Sequence, residues 1–210
     1  MHRTPSTLLA VLLITLLGIG CASGPRPIAW DVLPFPKDSN WQASKGEPPV
    51  MGQGDLLLHG QDVRTQRAYV APVAIECDVV LESRTASDGS FDLYFLPTGQ
   101  SLDAVLHQLT KFRIIYSNTG EYGSVDRLEI DRQEGAKGFT VWTGPPFKVE
   151  ADKVYHLKVS VLAAGKLDIS INGADVSIPD TAVLPYRSFQ VQLGGWQPAN
   201  RWHVRNFSIH

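Results

Sequence analysis

The segment 73–84, Val-Ala-Ile-Glu-Cys-Asp-Val-Val-Leu-Glu-Ser-Arg, alternates polar and apolar residues with period two. That spacing puts Glu76, Asp78, Glu82 and Arg84 on one side of an extended chain and Cys77, Val79, Leu81 and Ser83 on the other. Repeating carboxylates beside a guanidinium could cleave a glycoside by acid and base, or hold sugar hydroxyls through paired hydrogen bonds. Retaining cleavage needs two carboxyls about 5–5.5 Å apart. Along a strand rising about 3.3 Å per residue, Glu76 and Glu82 stand roughly 20 Å apart, so they fail as a catalytic pair and the face reads as solvated. The same phase argument sets Asp92 and Tyr94 against Phe91, Leu93 and Phe95, and groups Arg127, Glu129 and Asp131. Read as a sugar-binding set, the polar candidates are Glu82, Arg84, Asp92, Tyr94, Arg127 and Glu129, with Trp142, Trp196, Trp202 and Tyr116 as rings for stacking. Trp202, which opens the last strand, also fits a core position. The run Gln192-Leu193-Gly194-Gly195-Trp196-Gln197-Pro198 joins two glycines to a Trp, which permits an unusual backbone there or packing of the ring over a sheet edge. His156, on the polar phase of its strand, is either an acid–base group or a surface histidine.

Other chemistries lack their residues. His59, His107, His156, His203 and His210 are scattered without ligand spacing, so no transition-metal site is expected. No Asp-rich calcium loop is present, although loops of a β-sandwich can assemble a calcium site from separated Asp and backbone oxygens. There is no nucleophile elbow for Ser-His-Asp catalysis, and no cofactor is expected. The 210 residues carry 19 Lys+Arg against 21 Asp+Glu. Without residues 1–20, which hold Arg3 and no acid, the balance is 18 to 21, or −3. Nucleic acid is excluded as a partner, because phosphate binding needs a basic excess. Since Glu76, Asp78, Glu82, Asp92, Glu129 and Asp131 share a strand phase, the acid excess is expected on one polar sheet face.

Residues 1–20 hold Arg3 and the apolar run 8–17, too short for the roughly 20 apolar residues that span a bilayer as a helix. They read as a signal peptide. Leu17, Gly20 and Cys21 resemble the lipobox of bacterial lipoproteins, which implies acylation of Cys21, a short tether over 21–28, and a domain over 29–210. The alternative is an ordinary secretory signal cleaved near Ala22 or Ser23. With Cys21 acylated, Cys77 has no intramolecular partner and is expected to be buried as a small hydrophobe. Ala22, where Asp would resemble an inner-membrane retention signal, points to the outer membrane in a cell that has one.

The elements that would position these groups are strands. Alternation marks 73–84, 91–96, 111–117, 124–132, 138–143, 155–161, 189–193 and 202–209. Asn172-Gly173 accepts the positive φ values of a type I′ turn and makes 166–178 a hairpin. Gly144-Pro145-Pro146 should break the chain. Residues 102–109 have Leu102, Val105, Leu106 and Leu109 at helical spacing, compatible with two helical turns or a loop. Ten to twelve short strands indicate an all-β, antiparallel β-sandwich or jelly roll.

The order of these motifs from Trp30 to Ile209 resembles the concanavalin A-like jelly roll, and within it the bacterial 3-keto-disaccharide hydrolase domains. The resemblance lies in Leu81-Glu82-Ser83-Arg84, Ser90-Phe91-Asp92-Leu93-Tyr94-Phe95, Asn172-Gly173 and the ending Val204-Arg205-Asn206-Phe207-Ser208-Ile209. The chain departs from that family at Asp88-Gly89-Ser90-Phe91, where Asn-Ser-Gly-apolar is usual, and at Leu96-Pro97, where a second, groove-facing Arg is usual. The resemblance implies glycoside cleavage, with Glu82, Arg84 and Tyr94 lining a groove and Glu129 or His156 assisting. The residues themselves favour a lipid-anchored envelope protein that binds a glycan or another envelope component. A structural surface protein without ligand is the third reading.

Overall fold

The computed structural model describes residues 41–43, 50–52, 54–85, 87–100, 108–119, 125–196 and 200–210, with 50–52 and 196 as backbone only. Cys21, the signal and tether segments, and 101–107 of the stretch with helical spacing lie outside these residues. The described chain forms β1 (Trp41–Ala43), β2 (Val50–Gly52), β3 (Asp55–Leu58), β4 (Asp62–Thr65), β5 (Tyr69–Val70), β6 (Val73–Leu81), β7 (Gly89–Pro97) and β8 (Leu109–Tyr116). It continues through β9 (Arg127–Glu134), β10 (Lys137–Pro146), β11 (Val154–Val161), β12 (Leu167–Ile171), β13 (Ala174–Val176), β14 (Ser188–Trp196) and β15 (Trp202–Ile209). Fifteen strands exceed the expected ten to twelve because β1 to β5 are only two to four residues long, too short for alternation to register.

The strands form two antiparallel sheets. One is ordered β1-β4-β14-β7-β8-β9-β10, with β5 also on β14, and the other β13-β12-β11-β6-β15-β3-β2. Their inner faces pack together: Phe91 of the first lies 6.1 Å from Trp202 of the second, and Trp41 meets Phe207 edge-on at 5.1 Å. On β6 the inner set is Ile75, Cys77, Val79 and Leu81, all at 0% exposure, as the alternation requires. Cys77 is a free, buried thiol, and desolvation pushes its pKa far up. Trp202 is core. Asn172 and Gly173 have φ of 53° and 78°, and Ile171 pairs directly with Ala174, so the two-residue hairpin forms as expected.

Two expectations are corrected. Gly144-Pro145-Pro146 does not end a strand but lies within β10, which pairs only with β9 at the sheet edge and shifts register between Thr143 and Pro146. An edge strand with a bulge tolerates proline, because the lost N–H had no partner to lose. The acids, too, do not share a face. β6 and β7 follow one another in sequence yet belong to different sheets, so Glu76 and Asp78 point out on one side of the sandwich while Asp92, Glu129 and Asp131 point out on the other.

Candidate functional site

The outer face of the eight-stranded sheet carries the site. Phe91, Leu93 and Phe95 face the core at 0% exposure, which turns Asp92 and Tyr94 outward on β7. Strand register then decides their neighbours. Gln42, Arg64, Gln192, Tyr94, Lys111, Asp131 and Thr140 are successive cross-strand partners from β1 to β10. The adjacent row runs Asp62, Gly194, Asp92, Arg113, Glu129 and Thr143. Arg127 begins a third row beside Ile115.

Hydrogen bonds hold the rows in place. Arg113 Nε donates to Asp92 Oδ1 at 3.0 Å, and its Nη2 donates to Ser90 Oγ at 3.0 Å. Tyr94 donates its hydroxyl to Asp92 Oδ2 at 2.9 Å. Arg127 Nε donates to Glu129 Oε1 at 2.6 Å, and Thr140 Oγ1 to Asp131 Oδ1 at 2.9 Å. Lys111 Nζ lies 3.8 Å from Asp131 and 5.8 Å from the Tyr94 ring centre. Between β8 and β10 the face opens into a groove of about 380 Å³ lined by Lys111, Arg113, Arg127, Glu129, Asp131 and Thr140; Phe139, which pairs opposite Arg132 and so has the other strand phase, also borders it. Phe139 is 46% exposed, an aromatic edge open to solvent.

The glycines of β14 supply room, not unusual dihedrals. Neither Gly194 nor Gly195 has a positive φ. A Cβ on Gly194 would collide with Asp62 Oδ1, so the missing side chain lets the Asp62 carboxyl fold over the strand towards Asp92 and Tyr94. At Gly195 a Cβ would make only an ordinary contact with Trp202 Cδ1 at 3.4 Å. Gln192 Nε2 donates to Asp62 Oδ2 at 3.0 Å. Burial, then the Asp92 carboxylate, push the Asp62 pKa up to about 7, against the lowering influence of Lys111 and Gln192. Burial and the same two carboxyls push the Tyr94 phenol up. Desolvation opposes charge on Arg113, but Asp92 and Asp131 outweigh it and keep the guanidinium more firmly protonated.

Of the residues picked from sequence, Asp92, Tyr94, Arg127 and Glu129 come together on this face. The others do not. Glu82 follows β6 on the other sheet, where it pairs with Arg201 at 2.8 Å and His203 at 3.3 Å. Arg84 binds Asp126 through two bonds of 2.6 and 2.9 Å, donates to the carbonyls of Val149 and Ser117, and stacks on Tyr116 at 5.1 Å. It ties loops together at one end of the sandwich. His156 is on the outer face of the seven-stranded sheet, 2.8 Å from Asp78 Oδ1, with 52% of its side chain exposed. Tyr116 is in the core, bonded to Asn200. Trp142 pairs opposite Ile130 and packs against the core, because a register shift after Thr140 reverses its side. Trp196 ends β14 opposite Ser90, and its side chain is outside what is described.

Sequence reasoning missed Asp62, Arg64, Lys111, Arg113 and Phe139. Lys111 and Arg113 alternate with Phe112 and Ile114 and were legible by phase. Asp62 and Arg64 occupy a four-residue strand with no readable period. Among the described residues, no group of three or more His, Cys, Asp or Glu could hold a metal ion.

The architecture matches solved structures closely in shape and little in sequence. The metal-free Emp46p carbohydrate recognition domain superposes with a TM-score of 0.68 at 10% identity, covering 88% of this chain and 94% of that one. The fold is a concanavalin A-like jelly roll. The carbohydrate binding module CBM66 from Bacillus subtilis gives 0.58 at 14% identity over 81% of this chain and 95% of that one. A prokaryotic β-1,3-1,4-glucanase from a mouse hindgut metagenome gives 0.56 at 9% identity, covering 88% and 97%. Binding modules and a hydrolase therefore share this architecture, and the likeness is one of fold. No protein-family model matches the sequence, and no curated protein matches it.

Proposed function

We propose that the chain is the glycan-binding module of an exported envelope protein, held to a membrane by acylated Cys21, and in the outer membrane where the cell has one. The observation that carries sugar binding is the pair of cross-strand rows, in which carboxylates, guanidinium groups and amides alternate across one open face. A sugar hydroxyl donates and accepts at once, so it suits a surface where donors and acceptors are neighbours. The similar folds of the Emp46p carbohydrate recognition domain and the carbohydrate binding module CBM66 support the reading. The signal and Leu17, Gly20 and Cys21 support the anchor.

Calorimetric titration of the full chain against a glycan panel tests the binding. Heat with at least one glycan, weakened about tenfold or more by Lys111→Ala, is the expected result. No heat with any glycan would overturn it in favour of a surface protein without ligand.

A second reading, glycoside cleavage of the 3-keto-disaccharide hydrolase type, draws on one feature of the site. Asp62 keeps its proton to about pH 7 beside the Asp92 carboxylate, a combination that acid-assisted glycoside cleavage uses. It would proceed on this face, away from Glu82, Arg84 and His156. Unchanged 3-keto-glycosides after long incubation with the purified chain would sink this reading and leave binding intact.

A further inference from the structure

Among the described residues, Arg64 is the one cation of the polar face that meets no acid. It lies on β4 between Gln42 and Gln192 in the long row, it is only 4% exposed, and its Nε finds no hydrogen-bond partner. Lys111, Arg113 and Arg127 each pair with a carboxylate. Among the described residues none pairs with Arg64, and desolvation, with no acid set against it, lowers its pKa. A desolvated guanidinium is costly unless an anion compensates it. Asp62, two residues earlier on the same face, does not: its carboxyl is engaged by Gln192 and turned over Gly194. Both row neighbours of Arg64 are neutral amides.

We propose that Arg64 marks an anion subsite on this face, and that the ligand is an acidic oligosaccharide whose carboxylate or sulfate seats against the guanidinium. This rests on the sugar-binding reading above and narrows it to a ligand class. A guanidinium presents forked donors that match a carboxylate or sulfate edge. Arg64 is three strands from Lys111, roughly 14 Å at the usual strand spacing. An anion at Arg64 and a ring in the groove beside Lys111 therefore belong to different sugars of one chain.

The test is titration of the full chain with two matched pairs: an oligouronate and its carboxyl-reduced form, and a sulfated oligosaccharide and its desulfated form. The charged member of one pair is expected to bind at least about tenfold tighter than its neutral counterpart, and which pair does so identifies the group. Arg64→Gln should erase that difference by weakening the charged member far more than the neutral one, while Arg64→Lys should keep part of it. Equal binding within both pairs, or equal weakening of both members by Arg64→Gln, overturns the subsite while leaving sugar binding in place. No heat with any of the four counts against sugar binding itself. Thermal unfolding gives an arm independent of ligand: Arg64→Gln should leave Tm unchanged or raised, and a clear drop would show that the guanidinium serves the fold.

Discussion

The two outer faces of the sandwich carry similar residue types and use them differently. On the seven-stranded sheet charges pair near solvent: Lys158 with Glu76 at 2.8 Å, His156 with Asp78 at 2.8 Å, and Arg205 with Asp55 at 3.0 Å. The cationic side chains of these pairs are 46–52% exposed. On the eight-stranded sheet, Arg113 and Asp92 have side chains only 7% and 2% exposed, Asp62 is held neutral towards pH 7, and Arg64 is buried without an acid. Exposed pairs are screened and contribute little to stability. Desolvated polar groups are costly when a partner is missing, so their persistence on one face alone points to a ligand there.

The contrast can be broken most strongly through pH. The folded chain keeps the Asp62 proton to about pH 7, whereas an unfolded Asp releases it near 3.9. Between those values the folded state binds more protons, so this carboxyl's contribution to stability declines as pH rises and is fully lost above 7. Asp62→Asn should therefore stabilise the chain at pH 8 by at most about 4 kcal/mol, the gain vanishing below pH 4, in urea denaturation at both values. Asp92→Ala, which strips Arg113 of its nearest carboxylate, should cost about 3 kcal/mol in the same assay, while Asp78→Ala on the opposite face should cost under about 1 kcal/mol. Gly194→Ala should displace the Asp62 carboxyl and cost about 2 kcal/mol, with a downward shift of the Asp62 pKa visible by NMR titration. Smallest of all, Lys158→Ala should leave the urea midpoint and glycan affinity unchanged. Equal costs for Asp92→Ala and Asp78→Ala would erase the distinction between the faces.

Much of the fold was readable from local pattern. The alternation in β6, β7, β11 and β12 predicted which side chains are buried, and Asn172-Gly173 predicted its turn, because both depend on neighbours within a few residues. Four of the six polar candidates were readable too: Asp92 and Tyr94 alternate with buried Phe91, Leu93 and Phe95, and Arg127 and Glu129 with Leu128 and Ile130. Glu82 and His156 were misplaced for a definite reason. Their phase was right, since both are turned away from the core, but phase does not say which sheet a strand joins. Trp142 failed because a bulge reverses phase, and no residue type announces one.

By itself, then, the sequence determined the all-β class, the inner and outer sides of β6, β7, β11 and β12, the burial of Cys77 and Trp202, and the I′ hairpin. These follow from the period-two geometry of an extended chain and from the torsional freedom of single residues. Only the tertiary structure decided that β7 pairs with β14 and β8, that β6 lies in the opposite sheet, and that Asp62, Arg64, Asp92 and Arg113 meet on one face. Those choices join residues from 21 positions apart, Asp92 with Arg113, to 128 apart, Arg64 with Gln192, and register between distant strands is set by the packing of the whole core.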